Sequence, residues 1–133
     1  MAPDARRRLG DAGEALVARW YESRGFVVVD RNWRCREGEL DLVCAASSRS
    51  GPSMLVFCEV KTRRTTAFGS PLEAVTIAKQ RRIRVLARRW LEEQGSARPE
   101  GRGVRSPRLR FDVAAVLALP GAAPEVEVVE GAF

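Results

Sequence analysis

The chain contains no histidine, which removes His-based nucleophilic triads, imidazole general bases and most transition-metal sites in one step. Lysine is nearly missing as well: of 23 Lys and Arg residues only Lys61 and Lys79 are Lys. Cysteine is sparse and odd in number. Cys35, Cys44 and Cys58 form no C-x-x-C pair, which argues against a disulfide framework or a closed zinc site and fits a reducing compartment. No run approaches the roughly 18 apolar residues of a membrane span. The basic start, Arg6-Arg7-Arg8, has no apolar segment behind it. A cytoplasmic location with no membrane partner is expected.

The 133 residues suffice for one domain, 1–133, with a core of its own. Hydrophobic residues make up 45% and charged residues 30%, the balance of a globular protein. A net charge of +6 points to a polyanionic partner, nucleic acid before an anionic membrane surface.

Residues from about Arg6 to Arg24 have helical periodicity, with Leu9, Leu16, Val17, Trp20 and Tyr21 on the apolar stripe and Gly25 as the stop. Gly10 and Gly13 on that helix invite close approach of a neighbouring element. Strands are expected over Phe26–Asp30, reaching towards Trp33, then over 39–46 and 54–62, with 47–53 as an exposed loop. Leu40, Leu42 and Cys44 alternate with Glu39, Asp41 and Val43. The segment Ser70-Pro71-Leu72-Glu73 reads as a capping box that opens a second helix running to about Gln94. A basic loop, a strand over 109–119 and a short edge strand over 125–130 complete the order α-β-β-β-α-β-β.

Three charges stand out because they fall on apolar strands, where unpaired charge is costly. They are Asp41, in Gly38-Glu39-Leu40-Asp41-Leu42, and Glu59 and Lys61, in Phe57-Cys58-Glu59-Val60-Lys61. Glu59 and Lys61 share a face because strand side chains alternate. Carboxylates on neighbouring strands suit a hard divalent cation, Mg²⁺ or Mn²⁺, with the Val60 carbonyl as a further ligand. A lysine beside them can orient water or offset charge on a phosphate, and its anionic neighbour should keep it protonated. Lys is retained here in a chain that otherwise uses Arg, consistent with a need for a compact charge. Lys79 lies on the inward stripe of the second helix, either snorkelling out or reaching the carboxylates or a bound phosphate. Glu14 borders the stripe of the first helix, either as a surface residue or as a further ligand. Glu39 is expected to pair with an Arg. Asp112 is expected to form a structural pair with Arg110 or an Arg of the second helix, rather than to act in catalysis.

Together with Gly10-x-x-Gly13-Glu14, Asn32-Trp33-Arg34, Thr62-Arg63, Lys79 and Arg110-Phe111-Asp112-Val113, these motifs resemble the YraN family from Leu9 to about Leu117. That bacterial family is related to the PD-(D/E)XK nuclease superfamily and is nearest in fold to archaeal Holliday-junction resolvases. The resemblance implies an α/β restriction-endonuclease-like αβββαβ core, a mixed central sheet flanked by helices. It places Asp41, Glu59 and Lys61 as the catalytic set and Glu14 as the acidic residue of the first helix. Leu40 stands where the superfamily name expects Pro, and Cys58 replaces a more usual β-branched residue. The implied activity is metal-dependent hydrolysis of phosphodiester bonds, in DNA rather than RNA, with branched or flapped DNA as candidate substrates. Arg63, Arg64, Lys79, Arg102 and Arg105 are the expected phosphate contacts. A homodimer with two sites is compatible with the resolvase likeness. The competing reading is a non-catalytic nucleic-acid-binding module, or a scaffold in DNA processing, that kept the fold.

Overall fold

A computed structural model describes residues 3–49, 51–65, 70–96 and 107–133. Helix α1 (Pro3–Glu22) precedes strands β1 (Phe26–Cys35), β2 (Gly38–Ser48) and β3 (Gly51–Arg63). Helix α2 (Ile77–Ser96) leads to β4 (Arg108–Leu117) and β5 (Glu125–Val129). The five strands lie in the order β1-β2-β3-β4-β5, antiparallel except for the parallel β3–β4 pair. The polypeptide is thus a mixed sheet with two long helices, an α/β fold compatible with a restriction-endonuclease-like core.

The strands outrun their expected ends. β1 extends to Cys35, and β2 and β3 pair as far as Ser48 and Gly51, so the anticipated loop over 47–53 is largely ladder. Backbone hydrogen bonding across the hairpin overrides the low strand propensity of its Ser and Pro residues.

Each sheet face packs a separate core. On one face Val17, Ala18 and Tyr21 of α1 meet Leu42, Cys44, Val56, Cys58, Ala114 and Val116. On the other, Ile83, Leu86, Ala87 and Trp90 of α2 meet Leu40, Val43, Leu55, Phe57, Phe111 and Val113. Two indoles fix α2 laterally. Trp90 donates its Nε1–H to Asp30 at 2.9 Å and Trp33 donates to Glu93 at 2.8 Å, satisfying the polar end of each ring.

The capping-box expectation fails. Pro71–Ala74 is a short 3₁₀ turn with no side-chain cap from Ser70, and α2 starts only at Ile77, where the Thr76 hydroxyl accepts the Lys79 N–H at 3.2 Å. Val75 is extended and buried, so it ends the turn and anchors it to the core, while Leu72 is exposed. Helix α1 begins three residues earlier than expected and ends at Glu22.

Only one of the two α1 glycines serves a close approach. A Cβ on Gly13 would collide with Thr62 Oγ1, whereas one on Gly10 would meet nothing within 4 Å. Gly13→Ala should therefore cost about 1–3 kcal/mol through overpacking, most of it recovered in Gly13→Ala/Thr62→Ala. Gly10→Ala should be neutral or stabilising by about 1 kcal/mol. Thermal unfolding of the three variants checks this, and equal effects at the two glycines would refute it.

Candidate functional site: an acidic cleft where β2 leaves β3

The pairing of β2 with β3 stops at Leu42–Cys58, while β2 continues to pair with β1 down to Gly38. Asp41 is the first residue beyond the split. Its carboxylate Oδ2 accepts the Val60 N–H at 2.8 Å, taking over a donor from the ladder. The side-chain alternation expected along β2 breaks here: Leu40 joins Val43 in the α2-side core, while Leu42 and Cys44 face α1. The neighbouring strand shares the irregularity. Asn32, between the Arg31–Leu42 and Trp33–Leu40 pairs, has φ = 50°, a conformation that Asn tolerates better than most residues.

The split opens a cleft of about 310 Å³ bordered by Asp41, Glu59, Lys61, Lys79 and Arg82. Glu59 and Lys61 point into it from the same face of β3, as alternation requires. Glu59 is buried, and two ammonium groups hold its Oε1: Lys79 at 2.6 Å and Lys61 at 3.5 Å. Lys79 thus comes off the inward stripe of α2 and reaches the carboxylate cluster. Both lysines of the chain converge on one acid.

Burial, with the charge of Glu59 next in weight, pushes the Asp41 carboxyl up to about 8, against the lowering effect of the Val60 N–H. Burial also raises Glu14, although the Asn32 side chain bonds to it and works in the opposite direction. Burial and then the contact with Lys79 lower the Lys61 pKa, and the attraction of Glu59 does not restore it. Lys79 is the closer partner of Glu59. For Lys79 itself burial opposes the charge, but the bonds to Glu59 and Lys61 outweigh it and raise its pKa.

Glu14 reaches the site from α1. Carboxylate oxygens of Glu14, Glu39 and Asp41 lie within 4.8 Å of one another. Glu39 also pairs with Arg34 at 3.2 Å, so the expected Arg partner exists and the residue belongs to the acidic group too. Sequence reasoning gave Glu39 the Arg and passed over Asn32 and Arg82. The signals were an Asn set within a strand and an Arg three residues after Lys79 on the same helix face. Arg63, at the end of β3, is partly buried and Arg64 is exposed beyond it. Arg102 and Arg105 lie outside the described residues. Asp112 stands apart from the cleft, on the α1 face, where it is fully buried and bonded to Tyr21 and Arg110, the structural role expected of it.

A family model described as "Uncharacterised protein family UPF0102" matches residues 13–116, the span from Gly13 to Val116 that carries Glu14, Asp41, Glu59, Lys61 and Lys79. A UPF0102 protein of Rhodococcus jostii is 47% identical over 125 residues, covering 94% of this chain and 95% of its own. One of Frankia alni is 47% identical over 133 residues, covering both chains in full. One of Clavibacter michiganensis is 48% identical over 124 residues, covering 93% and 94%. On that match, extending over almost the whole chain, this protein belongs to the UPF0102 family, the YraN family its motifs resemble.

Proposed function

We propose that this protein hydrolyses phosphodiester bonds in DNA with a divalent cation, Mg²⁺ or Mn²⁺, and that it prefers branched or flapped substrates. The observation that carries the reading is the meeting of Asp41, Glu59 and Lys61 in one cleft at the point where the sheet splits. The donor set fits a hard cation. It consists of carboxylates, and burial together with the charge of Glu59 raises the Asp41 carboxyl to about 8, a cost that a cation would relieve. Asp41 and Glu59 with the Val60 main chain would hold the ion, and Glu14 and Glu39 adjoin Asp41. Such an ion, when bound, supplies positive charge to the phosphate and makes a nearby water more acidic.

The chain's own groups divide the remaining work. Lys61, paired with Glu59 and facing the cleft, can orient the attacking water and offset charge on the phosphate. Lys79 keeps its proton and offsets charge growing on the phosphate. Glu14, held by Asn32, positions water at the edge of the same acidic group.

Single-stranded, duplex, flap and four-way DNA, incubated with purified protein and Mn²⁺, test the reading. Cleavage of at least one substrate is expected, reduced by at least about 100-fold in Asp41→Ala and in Glu59→Ala. Cleavage that persists in both variants would rule out this site.

A second reading, a nucleic-acid-binding module without catalysis, draws support from the double ion pairing of Glu59, which leaves that acid already neutralised. It predicts DNA binding insensitive to chelator and no cleavage of any substrate in the panel.

A further inference from the structure

The acidic centre does not end at the cleft. Beyond Glu39, on the α1 side, a second hollow of about 490 Å³ is lined by Arg7, Asp11, Glu14, Asn32, Arg34 and Glu39. Glu39 borders both hollows, and the 4.8 Å group of Glu14, Glu39 and Asp41 joins them. The two hollows therefore meet at Glu39, and a ligand that spans both passes the acidic group, with Arg82 lining the first hollow and Arg7 the second.

The cations in these hollows fall into two kinds. Lys61, Lys79 and Arg34 are committed to Glu59 or Glu39. Arg82 of the first hollow and Arg7 of the second make no ion pair or hydrogen bond among the described residues. Arg82 packs by its stem. Its Cδ lies 3.7 Å from where a Cβ on Gly38 would stand, and Gly38 has φ = 145°, so the stem lies against the β1–β2 turn at a position suited to glycine. A guanidinium that borders a hollow and lacks a carboxylate partner is suited to two-point contact with a phosphate.

We infer that one nucleic-acid strand crosses the acidic centre along a groove formed by the two hollows, with Arg82 and Arg7 gripping backbone phosphates on its two sides. The inference rests on the phosphodiesterase reading for the site it crosses, but it concerns binding and can be tested without turnover. The phosphates on either side supply the charge that the two Arg residues lack, and the acidic middle is spanned by the segment that approaches the cation. Such contacts do not read sequence.

The test is fluorescence anisotropy of a labelled DNA oligonucleotide with the full chain, with Ca²⁺ replacing Mg²⁺, over a KCl series. Arg7→Ala and Arg82→Ala are each expected to weaken binding several-fold for every sequence. Each should also reduce the slope of log K against log[salt] by about 0.7–0.9, with Arg→Lys keeping the slope. Arg88→Ala, on the exposed side of α2, is the control and should leave the slope unchanged. Unchanged slopes in both variants, or an equal loss in the control, would overturn the inference. Loss at one end alone would overturn the two-sided path. Wild-type protein that binds DNA with these slopes but cuts nothing would refute the phosphodiesterase reading and leave the groove standing. Wild-type cleavage with normal binding by both variants would refute only the groove, and no binding at all would end both.

Discussion

Replacing Asp112 with Ala should destabilise the protein by about 3–5 kcal/mol, the range for stranding the partners of a buried ion pair. Asp112 has no exposed surface, and its two oxygens accept four hydrogen bonds. Tyr21 donates its hydroxyl at 2.6 Å, the Arg110 guanidinium donates twice at 2.9 Å, and the Gly131 N–H donates at 3.0 Å. These donors come from α1, from β4 and from the tail after β5, so one carboxylate ties three parts of the chain. Losses of this size compare with the whole stability of a small domain, about 5–15 kcal/mol. Tyr21→Phe removes a single donor and should cost only about 1–1.5 kcal/mol. Denaturant unfolding measures both. A cost below about 1 kcal/mol for Asp112→Ala would contradict the role given to it. Asp112 lies on the opposite face of the sheet from Glu59, so activity per folded molecule should survive Tyr21→Phe.

The second large effect is one of pH. Asp41 holds its proton up to about 8 in the folded protein, against 3.8 for an unperturbed carboxyl. Between those values the folded state binds more protons than the unfolded chain, so stability falls as pH rises through the window and levels off above about 8. The slope contributed by one proton is at most about 1.4 kcal/mol per pH unit. In Asp41→Asn, whose amide oxygen can still accept the Val60 N–H, that contribution should vanish. The metal-free variant should therefore gain on wild type as pH rises from 5 to 8. The cation binding proposed for the cleft should have the opposite dependence, because such an ion would need the deprotonated carboxylate. The apparent affinity for Mn²⁺ should climb by up to tenfold per pH unit below 8, with uptake of the ion releasing about one proton. Calorimetry in buffers of different ionisation enthalpy measures that proton directly. Mn²⁺ binding with no proton release, or parallel pH–stability curves for wild type and Asp41→Asn, would count against the raised carboxyl.

These expectations separate what local sequence can encode from what it cannot. Periodicity of two placed Glu59 and Lys61 on one face, and the helical stripe placed Lys79 inward, because both depend only on backbone geometry within one element. The same reasoning misassigned Leu40, since the break at Asp41 arises from β2 parting from β3 while remaining on β1. It also misread Ser70–Glu73, whose capping pattern was overruled by the burial of Val75. The lowering of the Lys61 pKa was not legible for a related reason: it comes first from burial and then from Lys79, 18 positions away, which meets Glu59 only after α2 has packed.

The sequence by itself determined the class of fold, the family motifs and the acid–acid–lysine set, all carried by residue type and short spacing. The tertiary structure alone decided that Glu14 and Glu39 join Asp41, that both lysines bind one carboxylate, and that Arg82 and Arg7 line hollows that meet at Glu39. Those relations depend on distances between elements far apart in the chain. Packing sets such distances, and burial then sets the charge each group can carry.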